Sequence, residues 1–220
     1  MDASENPKAA IASMDLFWFG EQARWLERAG MLGLLMTTRA RPGACGIPPE
    51  KVRNVLPIHY ALRVMQRYPR WVGGNHFYLQ LCRAFDGWLR AVFPRDADVL
   101  AVLSGVGLRS FREARDAGMV TVVECGSTHT DFQDRIVSEE FARCGIREPL
   151  FPEAYRERVR REFEEADYIQ IPSGFVGQTF LEAGVPAEKL LYAVYGVELE
   201  RFTVRSGVEE GPFRVICPSG

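Results

Sequence analysis

A chain of 220 residues with 47% hydrophobic and 25% charged content is long enough for one large α/β domain and ordinary for a soluble globular protein. Its net charge of −2 gives no overall electrostatic footprint for nucleic acid or for an anionic membrane. Five scattered cysteines (Cys45, Cys82, Cys125, Cys144 and Cys217), none in a Cys-x-x-Cys pair, argue for reduced thiols in the cytoplasm over a disulfide framework. The N-terminus lacks a basic-then-apolar signal pattern, and the apolar run from Met31 to Met36 is far too short to cross a bilayer.

Along the chain, Ala9 to Ser13 reads as a short strand, poor in β-branched residues. Asp15 can cap a helix whose Leu16, Phe19, Ala23 and Leu26 form one stripe, closed by Gly30. Leu32 to Thr37 is the next strand, and Arg39 to Pro49 a loop rich in Pro, Gly and Arg. Lys51 to Tyr68 carries a helical pattern with a kink expected near Pro57. Asn75 can begin a long helix in which Tyr78, Leu81, Cys82, Phe85, Trp88, Leu89 and Val92 keep the period.

Val99 to Leu103 is a strong strand, followed by a helix around Phe111 to Ala117 and a strand from Met119 to Glu124. Two helices follow, over Asp131 to Cys144 and Glu153 to Glu165. Tyr168 to Ile171 is a short apolar strand that Pro172 stops, and Ser173 can cap a helix carrying Phe175, Val176, Thr179, Phe180 and Ala183. Gly184 and Pro186 end that helix, Leu190 to Val194 forms another strand, and Gly196 permits the turn after it. Strands separated by helices predict a doubly wound, Rossmann-like parallel sheet with right-handed crossovers, over residues 1–202. Thr203 to Pro212 reads as a linker, and Phe213 to Cys217 as the first strand of a further, truncated domain over 213–220.

Ligands of open parallel sheets bind outside the carboxyl ends of the strands, which directs attention to a few loops. In Gly126-Ser127-Thr128-His129, the glycine lets backbone approach a ligand and the three side chains can hydrogen-bond hydroxyl groups. A second reading has His129 cap the helix that follows or pack in a polar niche. The turn after the first strand holds Ser13, Asp15 and Trp18; Trp18, Gln22 and Trp25 share a helical face that could border a ligand pocket or serve as core. Ser173 and the turn at Gly196 sit at two further strand ends.

Other apparent motifs weigh less. Gly105-Val106-Gly107-Leu108-Arg109-Ser110 only half-matches a dinucleotide fingerprint and does not follow the first strand. His59, His76 and His129 lack metal-ligand spacing. Arginines 63, 67 and 70, and 156, 158, 160 and 161, read as solvated helix faces, though either cluster could touch a polyanionic acceptor or a membrane surface.

One ordered set of residues is more specific: Asp167-Tyr168-Ile169, Pro172-Ser173, Phe180 to Pro186, Lys189-Leu190, and Gly196-Val197-Glu198 with Phe202. It resembles the family 4 retaining glycosyltransferases, with Glu198 where that family usually has aspartate. The resemblance implies the N-terminal, acceptor-side half of a two-domain GT-B fold. Such an enzyme moves a hexose from a nucleotide-sugar donor to the hydroxyl of an acceptor sugar, lipid or small molecule, without a metal. It further implies that His129, with Gly126, Ser127 and Thr128, meets the donor sugar, while Ser13, Asp15 and Trp18 face the acceptor. Ser173 and Gly196 would then border the inter-domain cleft. The basic groups for the diphosphate would lie in the C-terminal domain, so no catalytic acid or base is assigned in this chain, which alone would be inactive. The competing expectations are a non-catalytic subunit docking on a separate donor-binding protein, and a nucleotide-sugar epimerase of the same fold.

Overall fold

Strand β1 (Ala9–Ser13) has too few β-branched residues to advertise itself, yet it lies inside the sheet, between β2 (Leu32–Thr37) and β4 (Val99–Leu103). Its alanines suit a strand buried on both faces, because small side chains let helices and neighbouring strands come close. With β3 (Val52–Asn54), β5 (Val120–Glu124), β6 (Tyr168–Ile171) and β7 (Leu190–Tyr192) they form a parallel seven-stranded sheet in the order β3-β2-β1-β4-β5-β6-β7. The computed structural model describes residues 6–41, 46–69, 74–147 and 149–196. The expected linker, the strand from Phe213, and Glu198 and Phe202 lie outside the described residues.

The helices are α1 (Phe19–Arg28), α2 (Leu56–Arg67), α3 (Gly74–Val92), α4 (Leu108–Asp116), α5 (Thr130–Arg143), α6 (Glu153–Glu165) and α7 (Gly174–Glu182). Strand alternation splits the core into two layers. Ala10, Ala12, Leu100, Val102 and Val123 face α2, α3, α4, α6 and α7, where Phe85, Phe111, Phe163 and Phe180 fill the space. Ile11, Leu35, Ala101 and Val122 face the opposite side, where Phe19 and Ala23 of α1 cover them. The expected α/β, Rossmann-like doubly wound sheet is therefore the observed fold.

Several local expectations are corrected. Asp15 does not cap α1, which begins at Phe19 after a turn in which the Ser13 hydroxyl donates to the Asp15 carbonyl. The expected helix from Lys51 to Tyr68 divides in two. Val52 pairs with Leu35 as β3, and Pro57 lies in the first turn of α2, where its missing N–H costs nothing, so it starts the helix and does not kink it. The last strand stops at Tyr192, and Phe175 is exposed, with its ring edge-on to Phe132. By contrast the Ser173 hydroxyl does accept from Val176 N–H, and Gly184 takes the left-handed conformation (φ 85°) that ends α7.

The largest correction concerns Arg158. It is buried, with Nε donating to the Gly105 carbonyl (2.8 Å) and Nη2 paired with Asp86 (2.6 Å). The Glu162 carboxylate accepts from the backbone N–H groups of Gly105, Gly107 (2.9 Å) and Leu108 (3.1 Å), and Asp86 accepts from those of Arg109 and Ser110 (both 3.0 Å). These carboxylates cap α4, which is why it starts at Leu108, ahead of the Phe111 expected from periodicity. Burial, opposed by Arg158 and the N–H groups of Gly105 and Gly107, pushes the Glu162 carboxyl up to about 7.

Arg158→Met should cost about 3–5 kcal/mol in urea unfolding, because two buried carboxylates lose their cation. Arg135→Met, on the exposed surface of α5, should stay within about 0.5 kcal/mol. The raised Glu162 value also sets a pH slope. Between its ordinary carboxylate value and about 7 the folded state holds the proton that the unfolded state has released, so this group's contribution to stability falls as pH rises through that window. Glu162→Gln should flatten that part of the stability–pH curve, and an unchanged slope would locate the titrating group elsewhere.

Candidate functional site

The strand order reverses between β1 and β4, so the turns after these two strands flank the position where such folds take ligands. After β4, the N–H groups of Gly105, Gly107 and Leu108 are already committed to Glu162. That arrangement would cradle a phosphate if it were empty; here the protein's own carboxylate fills it, and the half-matching dinucleotide motif is structural.

After β1, Ser13 is fully buried, and the Thr38 hydroxyl donates to the Met14 carbonyl at 2.5 Å, which pins the turn. Asp15 is half-exposed. Phe17 adopts φ 37°, an uncommon conformation for a bulky side chain, and is 64% exposed. Trp18 turns inward, its indole Nε1–H donating to Glu124 Oε2 at 2.9 Å, while Gln22 Nε2 donates to Glu124 Oε1 at 2.6 Å. Glu124 ends β5 and is buried; burial pushes its carboxyl up, and the bonds from Trp18 and Gln22 oppose that. Trp25 is exposed, so the Trp18–Gln22–Trp25 face is split.

The loop after β5 meets this cluster. A Cβ placed on Gly126 would lie 2.5 Å from Trp18 Cη2 and 2.6 Å from Tyr195 Oη, so any side chain there would have to push these rings aside. The Trp18 and Tyr195 rings are 4.8 Å apart between centroids. Glu124, Cys125, Gln170, Ile171 and Pro172 complete a packed wall beneath them. Burial pushes the Cys125 thiol up to about 11, which leaves it protonated and a poor nucleophile at neutral pH. Ser127 is exposed and Thr128 half-exposed beside this wall; Ser173 and Gly196 are exposed at the ends of β6 and β7.

His129 performs the capping role. Its Nδ1 accepts from Asp131 N–H (3.3 Å), its own N–H donates to Thr179 Oγ1 (3.0 Å), and its ring packs against Phe163 and edge-on to Phe180. Burial holds its pKa below the ordinary imidazole value, with Asp131 opposing. The ring lines a cavity of about 410 Å³ with Arg160, Val185 and Lys189, which shares no residue with the Trp18 cluster. Thus the structure brings together Trp18 and Gly126 and sets His129 apart. Phe17, Glu124 and Tyr195 lie in the loop stretches that the sequence singles out, but the sequence reading assigns them no site role. The signal for Glu124 was a carboxylate closing an otherwise apolar strand at its ligand-facing end. Among the described residues no three His, Cys, Asp or Glu side chains group so as to hold a metal ion, and no helix is long and apolar enough to cross a membrane.

No protein-family model matches the sequence, and no curated protein is similar to it. Among solved structures, it is similar to UGT2 of Phytolacca americana complexed with UDP-2fluoro-glucose and pterostilbene. That match has 15% identity and a TM-score of 0.44, covering 85% of this chain and 52% of that one. The apo form of the same plant protein matches at 12% identity and a TM-score of 0.46, covering 89% of this chain and 53% of that one. The chain therefore spans about half the length of these proteins.

Losing the His129 cap should cost His129→Ala about 1–2 kcal/mol in chemical unfolding. His129→Asn, which can cap, should recover part of it; recovery of none would assign the loss to the ring packing on Phe163 and Phe180.

Proposed function

We propose that this chain is the acceptor-side half of a retaining glycosyltransferase that moves a hexose from a nucleotide sugar to an acceptor hydroxyl. The observation that carries the reading is the convergence of Gly126 with Trp18 and Tyr195, which places the loops after β1, β5 and β7 on one rim. It adds to the sequence resemblance around residues 167–202. Aromatic faces take up the apolar C–H faces of a sugar or a planar acceptor, and Phe17 extends that surface toward solvent. Ser127 and Thr128 offer hydroxyls to the transferred sugar beside the same rim, and His129 keeps their loop in place.

This half supplies positioning. Glu124 holds Trp18 and Gln22 and is itself buried, so it is a positioning residue. The charge that develops on a departing diphosphate needs preorganised cations or backbone donors. The backbone donors after β4 are occupied by Glu162, so in this reading the diphosphate contacts come from a donor-binding domain beginning at Phe213. The chain by itself would then transfer nothing.

Calorimetry and ligand-observed NMR test this division. UDP-glucose should bind the purified chain with Kd weaker than about 1 mM. A phenolic glucoside should give saturation transfer that Trp18→Ala diminishes. Micromolar binding of the nucleotide sugar would overturn the acceptor-side assignment, and glucoside signals indifferent to Trp18 would remove the rim from it.

A further inference from the structure

The outward face of α2 has no partner among the described residues. Its inward face, Ile58, His59 and Leu62, is buried and packs on the α3 side of the core. The opposite face carries Leu56, Tyr60 and Val64 at i, i+4 and i+8, and Tyr68 continues the row just past the helix. Their exposures are 44%, 59%, 48% and 53%. This row runs for about 18 Å along the helix axis.

The segment that carries the stripe is basic in sequence, although Lys51 is paired with Glu27 and Asp15 acts on His59 from the turn after β1. From Lys51 to Phe85 there are six basic residues (Lys51, Arg53, Arg63, Arg67, Arg70 and Arg83) and no aspartate or glutamate. The whole chain has 27 basic and 29 acidic residues, so the remainder carries 21 against 29. Among the described residues, Arg53, Arg63 and Arg67 make no ion pair: Arg53 donates to the Glu50 and Val52 carbonyls, and Arg63 to Gln66. On the helix, Arg63 and Arg67 fall between Leu56, Tyr60 and Val64 on the exposed side, and Arg39 lies close behind, 3.5 Å from His59.

We propose that the outward face of α2 docks this protein on an anionic lipid bilayer. A single helix side is convex, which suits a plane better than it suits an inserted peptide. Leu56 and Val64 would enter the boundary between headgroups and acyl chains, and the tyrosine hydroxyls would stay at headgroup level. The arginine stems lie along apolar surface while their guanidinium groups reach lipid phosphates. No carboxylate lies on α2 itself to repel such a surface. The docking stands independently of the glycosyl-transfer reading.

Co-sedimentation with vesicles tests it. The purified protein should bind vesicles of equal parts phosphatidylcholine and phosphatidylglycerol, and should not bind phosphatidylcholine alone. Binding should weaken as salt rises from about 0.05 to about 0.5 M. Arg63→Glu with Arg67→Glu should weaken binding at least about tenfold. Tyr60→Ser with Val64→Ser should abolish it at low salt while circular dichroism and thermal unfolding stay as in the parent, since both side chains point away from the core. No binding, equal binding to neutral vesicles, or binding indifferent to these substitutions would overturn the proposal. So would a dimer in sedimentation equilibrium that Tyr60→Ser with Val64→Ser dissolves, because the stripe would then be a self-association surface.

Discussion

Arg158 holds together parts of the chain that are distant in sequence. Its guanidinium reaches Asp86 on α3, the Gly105 carbonyl after β4, and Glu162 one turn further along α6. The two carboxylates in turn satisfy the N-terminal N–H groups of α4. One buried cation thus fixes three helices against the central strand. The arrangement is stable only as a whole: each carboxylate is buried, and its cost is offset by a guanidinium and several directed donors together.

That cluster also shapes what the carboxyl edge of the sheet can do. A glycine-containing turn before a helix is ordinarily free to receive a phosphate, but here Glu162 already sits on the Gly105 and Gly107 N–H groups. In the proposed reading ligand contact falls on the outer rim, where a second buried carboxylate, Glu124, orients Trp18 and Gln22. The two sites use the same device, a buried acid held by directed donors. The first closes a helix end; the second presents an aromatic ring beside Gly126 and Tyr195.

The elements most legible in the sequence were those whose signal is local. β4, β6, α6 and α7 carry either unbroken β-prone runs, a clear helical period, or a Ser173 cap and a Gly184 stop, and the structure places them within a residue or two of the expected bounds. β3 was not legible, because three residues give no period and Val52 becomes a strand only by pairing with Leu35. Nor was the start of α1: Asp15 has the right chemistry for a cap, but the Ser13 and Thr38 hydroxyls hold the turn and move the first helical residue to Phe19. At the site, Trp18 and Gly126 were legible as candidates because of their residue types and their places after strands. Their contact was not, since it joins positions more than a hundred residues apart.

By itself the sequence determined the alternation of strands and helices, and with it a doubly wound parallel sheet, because hydrophobic period, caps and glycine stops act over a few residues. It also placed Ser127, Thr128 and His129 beyond a strand end. Only the tertiary structure decided that Arg158, in a run that reads as a solvated helix face, is the buried centre of a charge cluster. Tertiary structure alone likewise decided that His129 caps α5 and packs on Phe180 while Gly126 lies against Trp18. The physical reason is the same in each case. Whether a charged or aromatic side chain is solvated, buried or shared depends on which distant groups arrive beside it, and no local pattern encodes that meeting.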